Sequence, residues 1–456
     1  MNDSEKRILR FNFDACDGCG ICFHKCPVLN LPIDESKKEI QRLIEGIHSK
    51  FVLYKCNTCF SCNLYCPNNA NPYQLILERW NDLYKIRGAP SIYRFVCPTE
   101  SPNIWQLLNI FLSPKERKWI MEWMLNRPKS GDNILLVSNY IHLFPFIIGG
   151  SKLLDYFTSI DKLDHWEAGA YLYQGGYLDV VQKIALKTKN DFDKWGIKEI
   201  VAAVDSVEYM LNEIHPKEMQ VLHDQKISNL NEFILNKIET GEIKLTNKLN
   251  MNVTVHDNCY SKTKGDLYWN VPREILKKCG CNIIEMKHIR QDSLCCGFGA
   301  GASWVKNISI PFDIISEGMK KFEEAEATGA SALIAYCGGC IYLLWATKEL
   351  LRKKIDVYHI IEIVRMAMGE KIESKKKHIE RAWDIIAIIS YSLLVSLLKH
   401  NFYIKKISYD KDMTTFKPKR YLLLRIMRIL FKVHYIRKIY SKLFILMMPL
   451  MKTRLK

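Results

Sequence analysis

The sequence predicts a mixed architecture: an α-helical N-terminal module, two α/β halves behind it, and a helical, basic C-terminal tail. Three observations predict it. Two cysteine runs of identical spacing stand in the first 66 residues, apolar and amphipathic stretches alternate twice in the same order between residues 131 and 370, and charge is concentrated at the chain's end. Residues 371–456 hold 21 Lys and Arg against 5 Asp and Glu, whereas residues 1–370 hold 45 against 44. The body is nearly neutral, so the overall charge of +17 gives no reason to expect nucleic-acid binding.

Of the 456 residues, 48% are hydrophobic, enough for several cores, and 16 are cysteine. The opening "MNDSEKRILRFNFD" is charged and does not read as a secretion signal. A reducing, cytoplasmic compartment is expected, where clustered cysteines mean metal or redox chemistry rather than disulfides.

"CDGCGICFHKCP" supplies Cys16, Cys19, Cys22 and Cys26, and "CNTCFSCNLYCP" supplies Cys56, Cys59, Cys62 and Cys66. Both read C-x2-C-x2-C-x3-C-P, the spacing of two-cluster ferredoxins. A tight loop offers three thiolates to one cubane [4Fe–4S] cluster, and the fourth comes from the other run. This assigns Cys16, Cys19, Cys22 and Cys66 to one cluster, and Cys56, Cys59, Cys62 and Cys26 to the second. Zinc usually takes pairs of C-x2-C rather than four-cysteine runs closed by proline. His24 is expected to be a loop residue, since four thiolates complete the set. Ile40, Leu43, Ile44 and Ile47 recur at helical spacing between the runs, with Asp34 or Ser36 as the cap. A second helix is predicted from Pro72 through "YQLILERWNDLYKI". Residues 1–95 are thus a helical two-cluster ferredoxin domain.

Residues 96–130 read as a helical connector with a boundary near Gly131. In residues 131–248, "NILLVSNY" and "IKEIVAAV" read as strands, with a helix over "YLDVVQKIALKTKNDFDKW" between them. In residues 249–370, "MNVTVHDNC", "CNIIEM" and "ALIAYCGGC" read as strands, alternating with helices over "VPREILKKCG" and "ISIPFDIISEGMKKFEEAEATG". Such alternation predicts short parallel sheets.

The second half carries Cys259, Cys295, Cys296, Cys337 and Cys340. Most fall at strand ends or in the turns after them, where ligands gather in open α/β sheets. Adjacent thiolates repel, so Cys295 and Cys296 point to a metal whose positive charge holds them together. Gly297, Gly299, Gly301, Gly338 and Gly339 let the backbone pass close to a bulky group. Five thiolates exceed the need of one cubane. They suit an unusual cluster, or a four-ligand site with one spare reactive thiol.

"VHDNCYSKTKGD", "HIRQDSLCCGFGAGASW" and "ATGASALIAYCGGC" closely resemble the cysteine-rich CCG domain. That domain occurs in the B and D subunits of heterodisulfide reductase, in the C subunit of anaerobic glycerol-3-phosphate dehydrogenase, and in glycolate oxidase and lactate-utilisation iron–sulfur subunits. Two ferredoxin runs followed by two CCG-type halves resemble the D subunit of heterodisulfide reductase, from about residue 10 to residue 365. The resemblance implies a noncubane [4Fe–4S] cluster on Cys259, Cys295, Cys296, Cys337 and Cys340, with Cys295 and Cys296 as reactive positions. Zinc at this site is the alternative.

The first half departs from the family pattern. Glu167 and Ala168 stand where its paired cysteines would be, Val204 and Val207 in place of its C-x2-C, and Asn139 near its lone first cysteine. This half is expected to keep the frame and bind no cluster. Glu167, His165 and Asp205 are expected on the surface or in structural roles, with the lining of a pocket in this half as the alternative. His256 and Asp257 are expected either as donors behind the ligands or as parts of a strand-end turn. Cys97, Cys279 and Cys281 are expected to be buried apolar residues.

In residues 371–456, "WDIIAIISYSLLVSLL" is short for a spanning helix, which needs about 20 apolar residues. Beyond it Arg425, Arg428, Lys432, Lys438 and Lys442 fall mostly on one helical side, opposite Leu, Ile, Met and Phe, with Arg437 breaking the pattern. This predicts a helix on an anionic membrane surface, one docked on a partner protein, or, as the plainest alternative, a poorly ordered basic tail. The expected function is that of an iron–sulfur electron-transfer subunit in an oxidoreductase, peripheral to the membrane's inner face. A flavoprotein or other redox subunit would be its donor or acceptor, with a membrane cytochrome or quinone pathway beyond. The alternatives are a catalytic disulfide reductase subunit and a zinc-binding, membrane-tethered scaffold.

Overall fold

The computed structural model describes residues 10–49, 51–302, 309–408 and 421–451. Ser303 and Trp304, which close the "LCCGFGAGASW" stretch, lie outside the described residues, as do residues 1–9 and 452–456 of the termini.

The N-terminal module is helical. The helix Ile33–Ile44 begins after Pro32 without a side-chain cap, so neither Asp34 nor Ser36 takes that place. Ser36 is turned instead to the Leu31 carbonyl. Ile40 and Leu43 are buried, while Ile47 lies beyond the helix end and is 52% exposed. The helix Pro72–Arg87 follows the second run, with Pro72 in its first turn, where a missing N–H costs nothing. The connector forms helices Ile104–Leu108 and Pro114–Leu125, each opened by a capping box, Asn103 with Gln106 and Ser113 with Glu116.

Both α/β halves build a four-stranded, all-parallel sheet of the same topology. In the first, β1 (Ile134–Leu136), β2 (Thr158–Ile160), β3 (Glu199–Ala202) and β4 (Lys226–Asn229) lie in the order β2-β1-β3-β4. In the second, β5 (Asn252–His256), β6 (Asn282–Ile283), β7 (Ala332–Ala335) and β8 (Asp356–His359) lie in the order β6-β5-β7-β8. The central strands "ILL" and "ALIA" are buried throughout, as parallel strands covered on both faces must be. The helices expected between strands form at Leu178–Trp195, Asp266–Lys278 and Ile310–Ala327.

The segment read as a tail divides in two. Its first part is woven into the body. The helix Lys375–Ser396 buries Trp383, Ile385, Ile386 and Ile388. Its Arg381, 1% exposed, donates to Glu116 of the connector at 2.6 Å and also bonds the Leu143 carbonyl. Phe402 pairs with Ala89 in an antiparallel bridge, and the Trp166 indole donates to the Ile407 carbonyl at 2.8 Å. No described helix is long and apolar enough to cross a membrane. The second part forms helices Leu422–Lys432 and His434–Met451, broken at Val433. Of the five basic residues expected on one helical side, Arg425, Lys432, Lys438 and Lys442 are exposed, whereas Arg428 turns inward to Asp384 and the Phe111 carbonyl.

Candidate metal centres

Each cysteine run lays its first three sulfurs around a short loop ending in a one-turn helix, Ile21–His24 and Ser61–Tyr65. Gly20 and Phe60 enter these helices in the left-handed region, and a Cβ on Gly20 would fall 2.6 Å from the Lys37 amide. Burial pushes the Cys16, Cys19 and Cys22 thiols up, and the nearby Cys66 sulfur adds to each shift. Burial likewise pushes Cys26 up to about 12, with Cys59 adding to it. Cys56 rises by burial and then by Cys59 and Cys26. The structure therefore brings Cys66 to the first three cysteines and Cys26 to the second three. Cys62 also feels Cys22, so the two groups are neighbours.

Sulfurs crowded like this and pushed up by burial keep their protons until a cation takes the protons' place and stabilises the thiolates. Backbone amides already point at several sulfurs: Thr58 N–H at Cys56 (3.3 Å), Ala70 N–H at Cys66 (3.3 Å) and Leu29 N–H at Cys26 (3.5 Å). Such donors stabilise thiolate charge and are what a thiolate-held cluster needs. His24 faces away, its Nδ1 2.9 Å from the Leu31 carbonyl.

Cys259, Cys295, Cys296, Cys337 and Cys340 line one cavity. Cys259 opens the helix that follows β5, because Asn258 Oδ1 accepts from the Tyr260 and Ser261 amides at 3.0 Å each. Cys337 is the N-cap of the helix Gly338–Leu351, and Cys340 sits in its first turn, at the positive end of the helix. The loop bearing Cys295 and Cys296 is pinned beneath. A Cβ on Gly297 would fall 2.2 Å from the Ile314 carbonyl oxygen, and one on Gly299 would fall 1.8 Å from that of Asn57. The second contact sets this loop directly on the second cysteine run.

Cys296 is the electrostatic centre. The Cys295 and Cys340 thiols donate to its sulfur and His256 adds to their effect, holding Cys296 well below the usual thiol range. Cys295 and Cys340 are driven up in return, chiefly by the same hydrogen bonds. The donor atoms of His256, Cys296 and Cys340 lie within 4.8 Å of one another. His256 is 1% exposed, burial lowers its pKa against the opposing pull of the Cys296 sulfur, and neither ring nitrogen has a nitrogen or oxygen partner. A buried imidazole whose ring nitrogens meet sulfur and no oxygen or nitrogen partner fits a site that takes a metal.

Asp257 faces the frame rather than the sulfurs. It takes a two-pronged hydrogen bond from Arg273 (2.8 and 2.9 Å), and accepts from Tyr336 Oη at 2.9 Å and the Arg290 amide at 2.7 Å. Burial opposes its charge, but Arg273 outweighs it and holds the carboxyl below the usual range. Its carbonyl accepts from Ser293, which ties the loop before Leu294 to β5.

The first half forms the roof of this cavity. Tyr140, Ala170, Tyr171, Gln174 and Ser206 line it beside the cysteines. Val204, at one of the lost ligand positions, packs 3.3 Å from where a Gly338 Cβ would stand. Where paired cysteines would be, Trp166, Glu167 and Ala168 all have φ above +50°. Glu167 is buried, accepting from Ser138 Oγ (2.6 Å) and the Tyr140 amide (2.7 Å). Burial raises it to about 8. Asp205 accepts from Asn229 and from Asn258 of the second half, and burial raises it to about 7. His165 is buried against Asp191 at 2.7 Å. All three thus hold structural positions, and none lies on the surface. Cys97, Cys279 and Cys281 are buried.

Sequence reasoning passed over Gln174, Lys262 and Asn57. Lys262 carried a usable signal, as a lysine one helical turn after Cys259 in "CYSKTK". Gln174 and Asn57 reach the cavity from other modules, and spacing along the chain does not announce that.

Comparison with known proteins finds domain matches over the segments that carry these cysteines. Residues 8–67 match the family model of a 4Fe-4S dicluster domain, and residues 253–344 match that of a CCG cysteine-rich domain. The D subunit of dihydromethanophenazine:CoB--CoM heterodisulfide reductase from Methanosarcina barkeri is 22% identical, covering 78% of this chain and 94% of that one. The protein of the same name from Methanosarcina mazei is 22% identical over 74% of this chain and 82% of its own. The probable iron-sulfur-binding oxidoreductase FadF of Bacillus subtilis is 26% identical over 42% of this chain and 27% of its own. The two runs lie within the matched dicluster segment, and the five sulfurs around one cavity lie within the matched CCG segment. The chain is thus an iron–sulfur, oxidoreductase-type subunit related to the D subunit of heterodisulfide reductase.

Proposed function

We propose that the chain is the electron-transfer subunit of an oxidoreductase, with three iron–sulfur sites in series. Cys16, Cys19, Cys22 and Cys66 hold the first cubane, and Cys26, Cys56, Cys59 and Cys62 hold the second. Cys259, Cys295, Cys296, Cys337 and Cys340 hold the third, noncubane cluster. Loaded, the clusters supply one-electron transfer, and the chain's own residues supply spacing, burial and charge. The observation that carries this reading is the contact of Gly299 with Asn57, which abuts the five-sulfur cavity on the second run. A flavoprotein or other redox subunit serves as the outer partner, because no dinucleotide fingerprint accompanies the cysteines in this chain.

The relatives' name suggests disulfide chemistry at Cys295 and Cys296. That reading ranks second here, because the facing positions in the first half carry Glu167, Ala168, Val204 and Val207 in place of sulfur. Zinc in the third site is favoured by one observation, the His256, Cys296 and Cys340 triad.

Metal analysis of protein purified without oxygen tests these readings. Three clusters require about 12 iron per chain, and Cys296→Ser lowers this toward about 8 while both cubane signals persist in electron paramagnetic resonance. About 8 iron with one zinc in the unaltered protein would establish the zinc reading instead.

The C-terminal helices are proposed to rest on an anionic membrane surface, on the inner face. Leu422, Leu423, Ile426, Ile429 and Leu430 are exposed, with Arg425 and Lys432 exposed among them. Apolar groups with interspersed cations fit the boundary between acyl chains and acidic headgroups.

A further inference from the structure

Lys262 is 3% exposed, yet among the described residues no carboxylate lies within ion-pair distance of it. Its Nζ donates to Ser61 Oγ at 3.2 Å. A buried ammonium with a lone hydroxyl for company is costly unless negative charge lies close by. The neighbours able to carry that charge are sulfurs. Lys262 lines the five-cysteine cavity and lowers the pKa of Cys259 against the stronger upward push of burial. On its other side, Ser61 lies between Cys59 and Cys62, and its Oγ is 3.3 Å from the Cys59 sulfur. With Cys59 deprotonated, Ser61 can donate to that sulfur while accepting from Lys262, joining the cation to the second run. The other buried lysine nearby, Lys321, is paired with Glu324 at 3.4 Å, and Arg273 is committed to Asp257 and Glu285.

We propose that Lys262 is a positioning cation between the second cubane site and the five-cysteine site, raising the reduction potential of the clusters on both sides. This rests on the three-cluster reading above. A cluster gains one negative charge when reduced, and a fixed ammonium in a low-dielectric interior stabilises that charge. The same cation weakens the repulsion between two anionic centres placed side by side. Lys262 is not among the groups that perturb Cys16, Cys19 or Cys22, as it is for Cys259, so it acts weakly on the first site.

Redox titration followed by electron paramagnetic resonance, on the full chain purified without oxygen, tests this. Lys262→Met keeps most of the stem volume and removes the charge. Two of the three cluster signals should move to lower potential while the third holds its place, and Lys262→Arg should restore both. Ser61→Ala should move the second-cubane signal alone. Unmoved potentials in Lys262→Met, or an equal shift of all three, would overturn the proposal. If the unaltered protein shows only two cluster signals, the three-cluster reading fails. The proposal then stands or falls on the second-cubane signal, which must still drop in both Lys262→Met and Ser61→Ala.

Discussion

Gln174 of the first α/β half donates from Nε2 to the sulfur of Cys259 in the second half, 3.6 Å away. A half that carries none of the family's ligand cysteines therefore still serves the site opposite it. It closes the cavity with Tyr140, Tyr171 and Gln174, and adds a hydrogen bond to the sulfur of Cys259, a proposed ligand. Exclusion of water and N–H···S bonds both tune a cluster's potential and its survival.

Gln174→Leu should leave the fold intact while weakening the third site. The lost hydrogen bond is worth about 0.5–1.5 kcal/mol. On exposure to air or a chelator, the third cluster's signal should decay several-fold faster than in the unaltered protein, with both cubane signals unchanged. Equal decay of all three would show that the roof does not protect the third site selectively.

Glu167 gives stability a pH dependence. Its carboxyl is raised from 4.5 to about 8, first by burial, despite hydrogen bonds from Ser138 and the Tyr140 amide. The folded chain thus keeps a proton that the unfolded chain releases. The contribution is complete below about pH 4.5 and is lost as pH rises through about 8. Over that window the loss approaches ~1.4 kcal/mol for each pH unit. Glu167→Gln keeps an acceptor for Ser138 and has nothing to ionise. Its urea midpoint should change less between pH 5.5 and 8 than that of the unaltered protein, and a slope identical in both would refute the assignment.

Much of the site was legible because its signals are local. Each run places three of its sulfurs within seven residues, and Cys295 with Cys296 are adjacent, so spacing alone groups them. The central strands β1, β3, β5 and β7 were legible as apolar runs. β2, β4 and β8 are edge strands of three or four residues, "TSI", "KISN" and "DVYH", and pairing on one side leaves them little apolar signal. The fate of residues 375–407 was not legible. Asp384 interrupts an otherwise apolar stretch of the sequence, and in the fold it is where Arg381 and Arg428 converge. Such long-range pairing leaves no periodicity.

That pairing makes the helix Lys375–Ser396 part of the body, which mutation can test. Glu116 of the connector accepts from Arg381 at 2.6 Å and from Lys377 at 3.1 Å. Its carboxyl is held below the usual range by Arg381, against the opposing effect of burial. Glu116→Ala removes the nearer of the two carboxylates at the buried Arg381 guanidinium, and Asp384 at 3.8 Å offsets part of the loss, so the cost falls toward the lower end of about 3–5 kcal/mol. The transition midpoint should fall accordingly in chemical unfolding. A change below about 1 kcal/mol, as for an exposed pair, would mean that this helix is not docked on the connector.

The C-terminal helices offer a test on a different surface. Leu422 is 68% exposed, Ile426 43% and Ile429 64%, on a helix that buries only Leu424 and Phe431. Burying a leucine or isoleucine side chain yields about 1.5–3 kcal/mol, so three of them outweigh any single basic contact. Replacing all three by Gln should lower binding to vesicles containing acidic phospholipid by more than tenfold. The fold should be unaffected, because these side chains face outward. Salt should weaken binding of the unaltered protein, since the Debye length falls to about 10 Å at 0.1 M and screens Arg425 and Lys432. Equal binding to neutral and acidic vesicles would remove the basic residues from the account. Undiminished binding by the triple variant would remove the apolar face, and with it the membrane as its occupant.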